Sequence, residues 1–184
     1  MPKQYIHILA QMLADRVLVA TPDLLQNVVK GVYLPIPVDT EHFVPDLKAD
    51  NNKKRALTFR TEVTNVSKVM EYCKSNNVNL DIEVYDRTKN PIMYADMPNF
   101  LKRYEIYLDI RYINDAILHN LSSTALQSLA CGLRVLDYQS RNHDTFPLEH
   151  EADNVSTQAL RFYAIKEKSF LSYLWYFIFR LTRR

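Results

Sequence analysis

The sequence predicts an α/β fold, a parallel sheet with helices on its faces. Two observations carry this. From residue 55 onward, short apolar runs alternate with helix-like segments in the order β-α-β-α-β-α-β. Alternation at that spacing leaves room for crossover helices and argues for parallel strands. Finally, LSSTALQSLACGLRVLDY (121–138) has the shape of a hydroxyl-capped helix, a glycine stop and a buried strand.

The elements follow in order. Gln4 to Ala14 has apolar residues at helical spacing, and VLVAT (17–21) is a short buried strand. Thr21-Pro22-Asp23 supplies an N-cap, a first-turn proline and a first-turn acid for a helix reaching about Lys30, where Gly31 stops it. VYLPIPVDTEHFVPDL (32–47) carries three prolines and predicts an extended connector, hence a domain boundary. KADNNKKR (48–55) is a solvated loop and ALTF (56–59) a strand. Thr64 or Asn65 caps a helix to about Ser75, and LDIEVYD (80–86) is a strand whose alternation puts Asp81 and Glu83 on one exposed face. Met97 to Tyr104 is a short helix, IYLDIRYI (106–113) a strong strand, Ser122 to Cys131 a helix and LRVLDY (133–138) a strand. The stretch 139–155 is polar and loop-like, and a helix runs from Ser156 to Lys168. The expected division is 1–47 as a remnant of a preceding domain with its linker, 48–155 as the main domain, and 156–184 as carboxy-terminal helices.

Bulk properties exclude several classes. A net charge of +2 over 184 residues gives no global basic field, so nucleic acid is not expected. Two cysteines far apart, Cys73 and Cys131, make neither a disulfide scaffold nor a zinc site; they fit reduced, buried thiols in a cytoplasmic protein. The amino terminus has no long apolar run like that of a signal peptide. With only two glycines, Gly31 and Gly132, there is no GxGxxG or P-loop cradle. Any phosphate must be held by a helix N-terminus and side chains. No metal ligand set is evident, and no cofactor is implied. His7, His42, His143 and His150 pair with no Ser or Cys nucleophile at a recognised spacing.

Three segments together resemble the GT-B glycosyltransferases of the retaining, group-1 style. ADRVLVATPDLLQNV…GVYLPIPVDTEHFVP (14–45) is similar to the end of the family's amino-terminal domain and its linker, with Pro37 where glycine is usual. YEIYLDIRYIND (104–115) is similar to the strand at the mouth of the donor site. SSTALQSLACGLRV (122–135) is similar to the donor helix and is the most specific of the three. The resemblance spans about residues 14–140. It implies a Rossmann-like donor-binding domain, one half of a GT-B architecture, with the acceptor-side domain almost wholly missing. It also implies no bound metal.

The candidate site residues follow from the resemblance and from helix-terminus chemistry. Ser122 caps its helix, and with Ser123 and Thr124 it offers hydroxyls and free amides at the positive end of the helix dipole. In the family this helix start faces the diphosphate of a nucleotide-sugar. The ordinary alternative is a cap with nothing bound. The family's paired glutamates fall at His119 and Gln127; Gln127 keeps hydrogen-bonding capacity for ribose hydroxyls but not the charge. Asn120 is either a sugar or phosphate contact or a turn residue. Arg60, just after ALTF, matches in position one of the family's two cations that stabilise a departing diphosphate; Lys68, in the next helix, is the candidate for the other, at a spacing longer than usual and with Glu62 between. The ordinary alternative for both is a solvated charged face.

The tail, with YLWYFIF (173–179) followed by Arg180, Arg183 and Arg184, is far shorter than the roughly 20 residues that span a bilayer. It predicts an interaction surface over 170–184, either a peripheral membrane contact or a homodimer contact. Two functional readings stand. One is the donor-binding part of a glycosyltransferase, taking a nucleotide-diphosphate-sugar and a glycan or lipid-linked acceptor. The other is a non-catalytic, degenerate module of the same fold, serving as a binding or membrane-associated subunit.

Overall fold

The structure is a computed structural model. It describes residues 14, 16–22, 25, 28, 31–45, 55–60, 66–75, 81–113, 116–117, 120–137 and 141–161. The expected helix over 4–14, most of the helix over 22–30, the caps Thr64 and Asn65, His119 and the tail beyond 161 lie outside the described residues, wholly or nearly so. The chain divides into two compact units, one of 37–150 and one of 1–36 with 151–184.

In the second of these, β1 (Val17–Val19) pairs in parallel with β2 (Gly31–Tyr33). The strand β2 corrects the expectation of a connector beginning at residue 32. Its residues precede the first proline, Pro35, so every amide can still join a ladder. The unit also holds a helix, α4, over 152–161. It begins before Ser156, inside the stretch expected to be loop.

The unit 37–150 is mixed α/β, with a mostly parallel five-stranded sheet and flanking helices. Its elements are β3 (Arg55–Phe59), α1 (Val66–Ser75), β4 (Asp81–Tyr85), α2 (Met97–Leu101), β5 (Ile106–Asp109), α3 (Ser123–Ala130), β8 (Arg134–Asp137) and β9 (Asn142–His143). A small antiparallel pair, β6 (Tyr112–Ile113) and β7 (Ala116–Ile117), lies between β5 and α3. The sheet order is β4-β3-β5-β8-β9, parallel except for β9. The expected βα alternation is therefore present. β9 is an addition within the stretch expected to be loop. IYLDIRYI is not one strand: pairing with β8 stops at Asp109, and Tyr112 and Ile113 pair with β7 instead.

The chain moves from β3 outward to β4, returns to β5 on the other side of β3, and continues to β8. Right-handed crossovers then put α1 on one face and α2 and α3 on the other. The core agrees. Val69 and Cys73 of α1 pack with Ala56, Ile106, Leu108, Ile110 and Leu136. The opposite face carries an aromatic cluster in which Phe59, Tyr85 and Tyr104 surround Phe100. There Glu83 departs from its expected exposure. It is half-buried and accepts a hydrogen bond of 2.9 Å from the Tyr104 hydroxyl, because the segment after α2 covers that face of β4.

The linker is tied down by its own sequence. Asp39 Oδ1 accepts the amides of Glu41 and His42, each at 3.0 Å, in a turn that seats Phe43 at 1% exposure against Tyr94. The Val38 amide donates to the His150 carbonyl at 2.7 Å, joining the two ends of the unit.

Candidate functional site

In open parallel sheets, ligands bind beyond the carboxyl ends of the strands, where the chain reverses its direction of progress. Here that point lies between β3 and β5, at Phe59 and Arg60 on one side and Asp109 to Arg111 on the other. The helix that starts beside it is α3.

Its start is built from the N-cap inward. Ser122 is extended (φ −70°, ψ 160°), and its side chain accepts the Ala125 amide at 3.0 Å. The Leu126 amide bonds the Ser122 carbonyl. That leaves the Ser123 and Thr124 amides as first-turn donors not taken up by the cap. At the other end Gly132 sits at φ 84°, its amide bonded to the Leu129 carbonyl and the Leu133 amide to the Ser128 carbonyl, both at 2.9 Å. This two-bond glycine stop is what the sequence LACGL predicts. A side chain at Gly132 would also press on Pro45, 3.3 Å away.

A carboxylate already stands at this helix start. Asp109 Oδ2 accepts the Ser122 amide at 2.8 Å. The Asp109 side chain is 1% exposed and pairs with Arg111, whose Nε is 3.0 Å from Oδ1 and whose Nη2 is 3.3 Å from Oδ2. Nε and Oδ1 are close enough for an ion pair, but neither has a hydrogen bond, so the Nε–H is not aimed at the oxygen. Arg111 Nη2 also donates to the Asn120 carbonyl. Tyr107 is buried on the same face. Burial, and then the Asp109 charge, push its phenol well above the ordinary range.

The next strand repeats the pattern. Asp109 is in register with Asp137 of β8. Parallel neighbours lie about 4.8 Å apart, so two carboxylates there need separate cations. Asp137 has its own: Arg141 Nε at 2.7 Å and His143 Nε2 at 3.0 Å, both to Oδ2. Burial raises its carboxyl, but the bonds from His143 and Arg141 and the Arg141 charge outweigh that and leave it below the ordinary value.

The sequence-predicted residues are distributed as follows. Asn120, Ser122, Ser123 and Thr124 come together at the α3 start. Gln127, half-buried, stands one turn behind the exposed Ser123 on the same helix face. Arg60 is exposed just past β3, its amide donating to the Tyr85 carbonyl at 2.8 Å. Lys68 lies in the first turn of α1, on the opposite face of the sheet from α3, and its side chain is outside the described residues. Sequence reasoning missed Tyr107, Asp109 and Arg111 as a group. The signal was present: in IYLDIR the apolar Ile106, Leu108 and Ile110 alternate with a phenol, an acid and a base. It also missed Arg87, whose guanidinium lies 5.2 Å over the Phe59 ring at the same end of the sheet.

Among the described residues no group of three or more His, Cys, Asp or Glu could hold a metal ion, and no helix is long and apolar enough to cross a membrane. The sequence matches no protein-family model and no curated protein.

Proposed function

We propose that this chain is the donor-binding part of a glycosyltransferase. It takes a nucleotide-diphosphate-sugar and serves transfer of the sugar to a glycan or lipid-linked acceptor. The observation that carries this reading is the α3 start. It lies at the carboxyl end of β5, beside the point where the sheet reverses, with the Ser123 and Thr124 amides not taken up by the cap. The mostly parallel sheet is compatible with the Rossmann-like half of a GT-B enzyme. The acceptor hydroxyl attacks the anomeric carbon and passes its proton to the departing diphosphate oxygen. The bond from that carbon to the diphosphate breaks, and the departing oxygen keeps the electron pair. Arg60 and the α3 start meet the charge that develops there. The tail, 170–184, is the contact surface for a second copy or a membrane.

The test is calorimetric titration of the chain with UDP- and GDP-sugars. Micromolar binding that Ser123→Asp abolishes is expected, because a carboxylate there repels a phosphate. Absence of binding by the folded wild-type chain would overturn the reading. A specific observation favours the second reading, a non-catalytic module: the Asp109 carboxylate already neutralises part of the α3 start, and Gln127 brings no charge. A large gain in donor affinity in Gln127→Glu would mean a site that has decayed, and no donor binding by either form would remove the enzyme reading.

A further inference from the structure

The cation best placed at the α3 start is not one that the resemblance singles out. We propose that Arg111, held by Asp109, is the residue that grips the diphosphate; this rests on the donor-binding reading above. Arg111 follows β5 by two positions and reaches back to the turn before α3, where its Nη2 meets the Asn120 carbonyl. Asp109 holds Nη2 by a hydrogen bond and sets its charge beside Nε. The Nη1 edge is engaged by neither partner, and the side chain is 21% exposed. A guanidinium already held in place loses little rotamer freedom when a phosphate arrives, and its Nη1 N–H donors remain for the phosphate oxygens. Among the described residues Arg60, exposed past β3, has no such frame.

Asp109 does not oppose the anion as a free carboxylate would. Its Oδ2 is occupied by the Ser122 amide, its Oδ1 faces Arg111, and its side chain is 1% exposed, so neither oxygen is presented to a ligand. It is a positioning residue that sets the guanidinium and the helix start relative to each other.

The experiment is titration of the full chain with UDP, GDP and inorganic pyrophosphate at several ionic strengths. The variants are Arg111→Lys, which keeps a charge beside Asp109, and Asp109→Asn/Arg111→Gln, which removes both buried charges together. Expected is a fall in diphosphate affinity of about tenfold or more in each. In the double variant the salt dependence of binding also becomes shallower, which a purely structural role would not produce. Affinity and salt dependence unchanged in both variants, with the wild type binding, would overturn the role of Arg111 and leave the donor-binding reading intact. No binding of any of the three ligands by the wild type would overturn both.

Discussion

Asp109→Ala is expected to destabilise the unit 37–150 by about 3–5 kcal/mol, the usual consequence of removing one partner of a buried ion pair. The magnitude can be built from the contacts. The 2.8 Å bond from the Ser122 amide is charge-assisted, worth about 1.5–3 kcal/mol. Its loss leaves the α3 start without its internal anion, about 0.3–1 kcal/mol more. The Arg111 guanidinium, 21% exposed, then keeps only the Asn120 carbonyl of these partners. For a chain of this size each kcal/mol moves the melting point by about 2–4 °C, so the shift is roughly 6–20 °C. The assay is urea and thermal unfolding followed by circular dichroism. Leu148→Ala, at a residue 70% exposed, is the control and should stay within about 0.5 kcal/mol. Asp109→Asn/Arg111→Gln should recover most of the loss, because no uncompensated charge remains. An Asp109→Ala variant that loses less than about 1 kcal/mol would refute the reasoning. The carboxylate would then be solvated, and the α3 start would not be neutralised from within.

Phe43→Ala, which empties a pocket filled by a side chain only 1% exposed, should cost about 3–5 kcal/mol in the same assay; a loss near zero would mean that the linker is not anchored to the unit. The folded Asp137 carboxyl titrates below its ordinary value of 3.8, so its stabilisation is complete above that value and is lost as pH falls through the folded one. Stability should therefore decline more steeply between about pH 4 and pH 2 in the wild type than in Asp137→Asn, and equal slopes would contradict the Arg141 and His143 bonds. Burial pushes the Cys131 thiol up to about 11, with Lys102 pulling slightly the other way, and burial also raises Cys73. Both should react with a thiol reagent at pH 8 roughly a hundredfold or more slower in the native chain than in urea; fast labelling of the native chain would show that the core opens readily.

The α/β alternation from residue 55 was legible because it depends on local signals. Ser122 as cap, Gly132 as stop and the apolar runs at 56–59 and 133–138 act within a few residues of themselves, and the α3 boundaries came out as its caps dictate. The short strand β9 was not legible, since Asn142 and His143 become a strand only by pairing with β8. Glu83 looked exposed from alternation alone, and became half-buried because Tyr104, 21 positions later, closes over it.

The same division runs through the site. By itself the sequence determined that a hydroxyl-capped, glycine-stopped helix is followed by a buried strand. Tertiary structure alone decided what meets that helix start. Strand order put Asp109 beside Asp137 and under α3, so the first anion at the Ser122 amide is the chain's own carboxylate, bound to Arg111. The reason is physical: capping and alternation are short-range properties of the backbone, whereas which charges become neighbours depends on which strands pair.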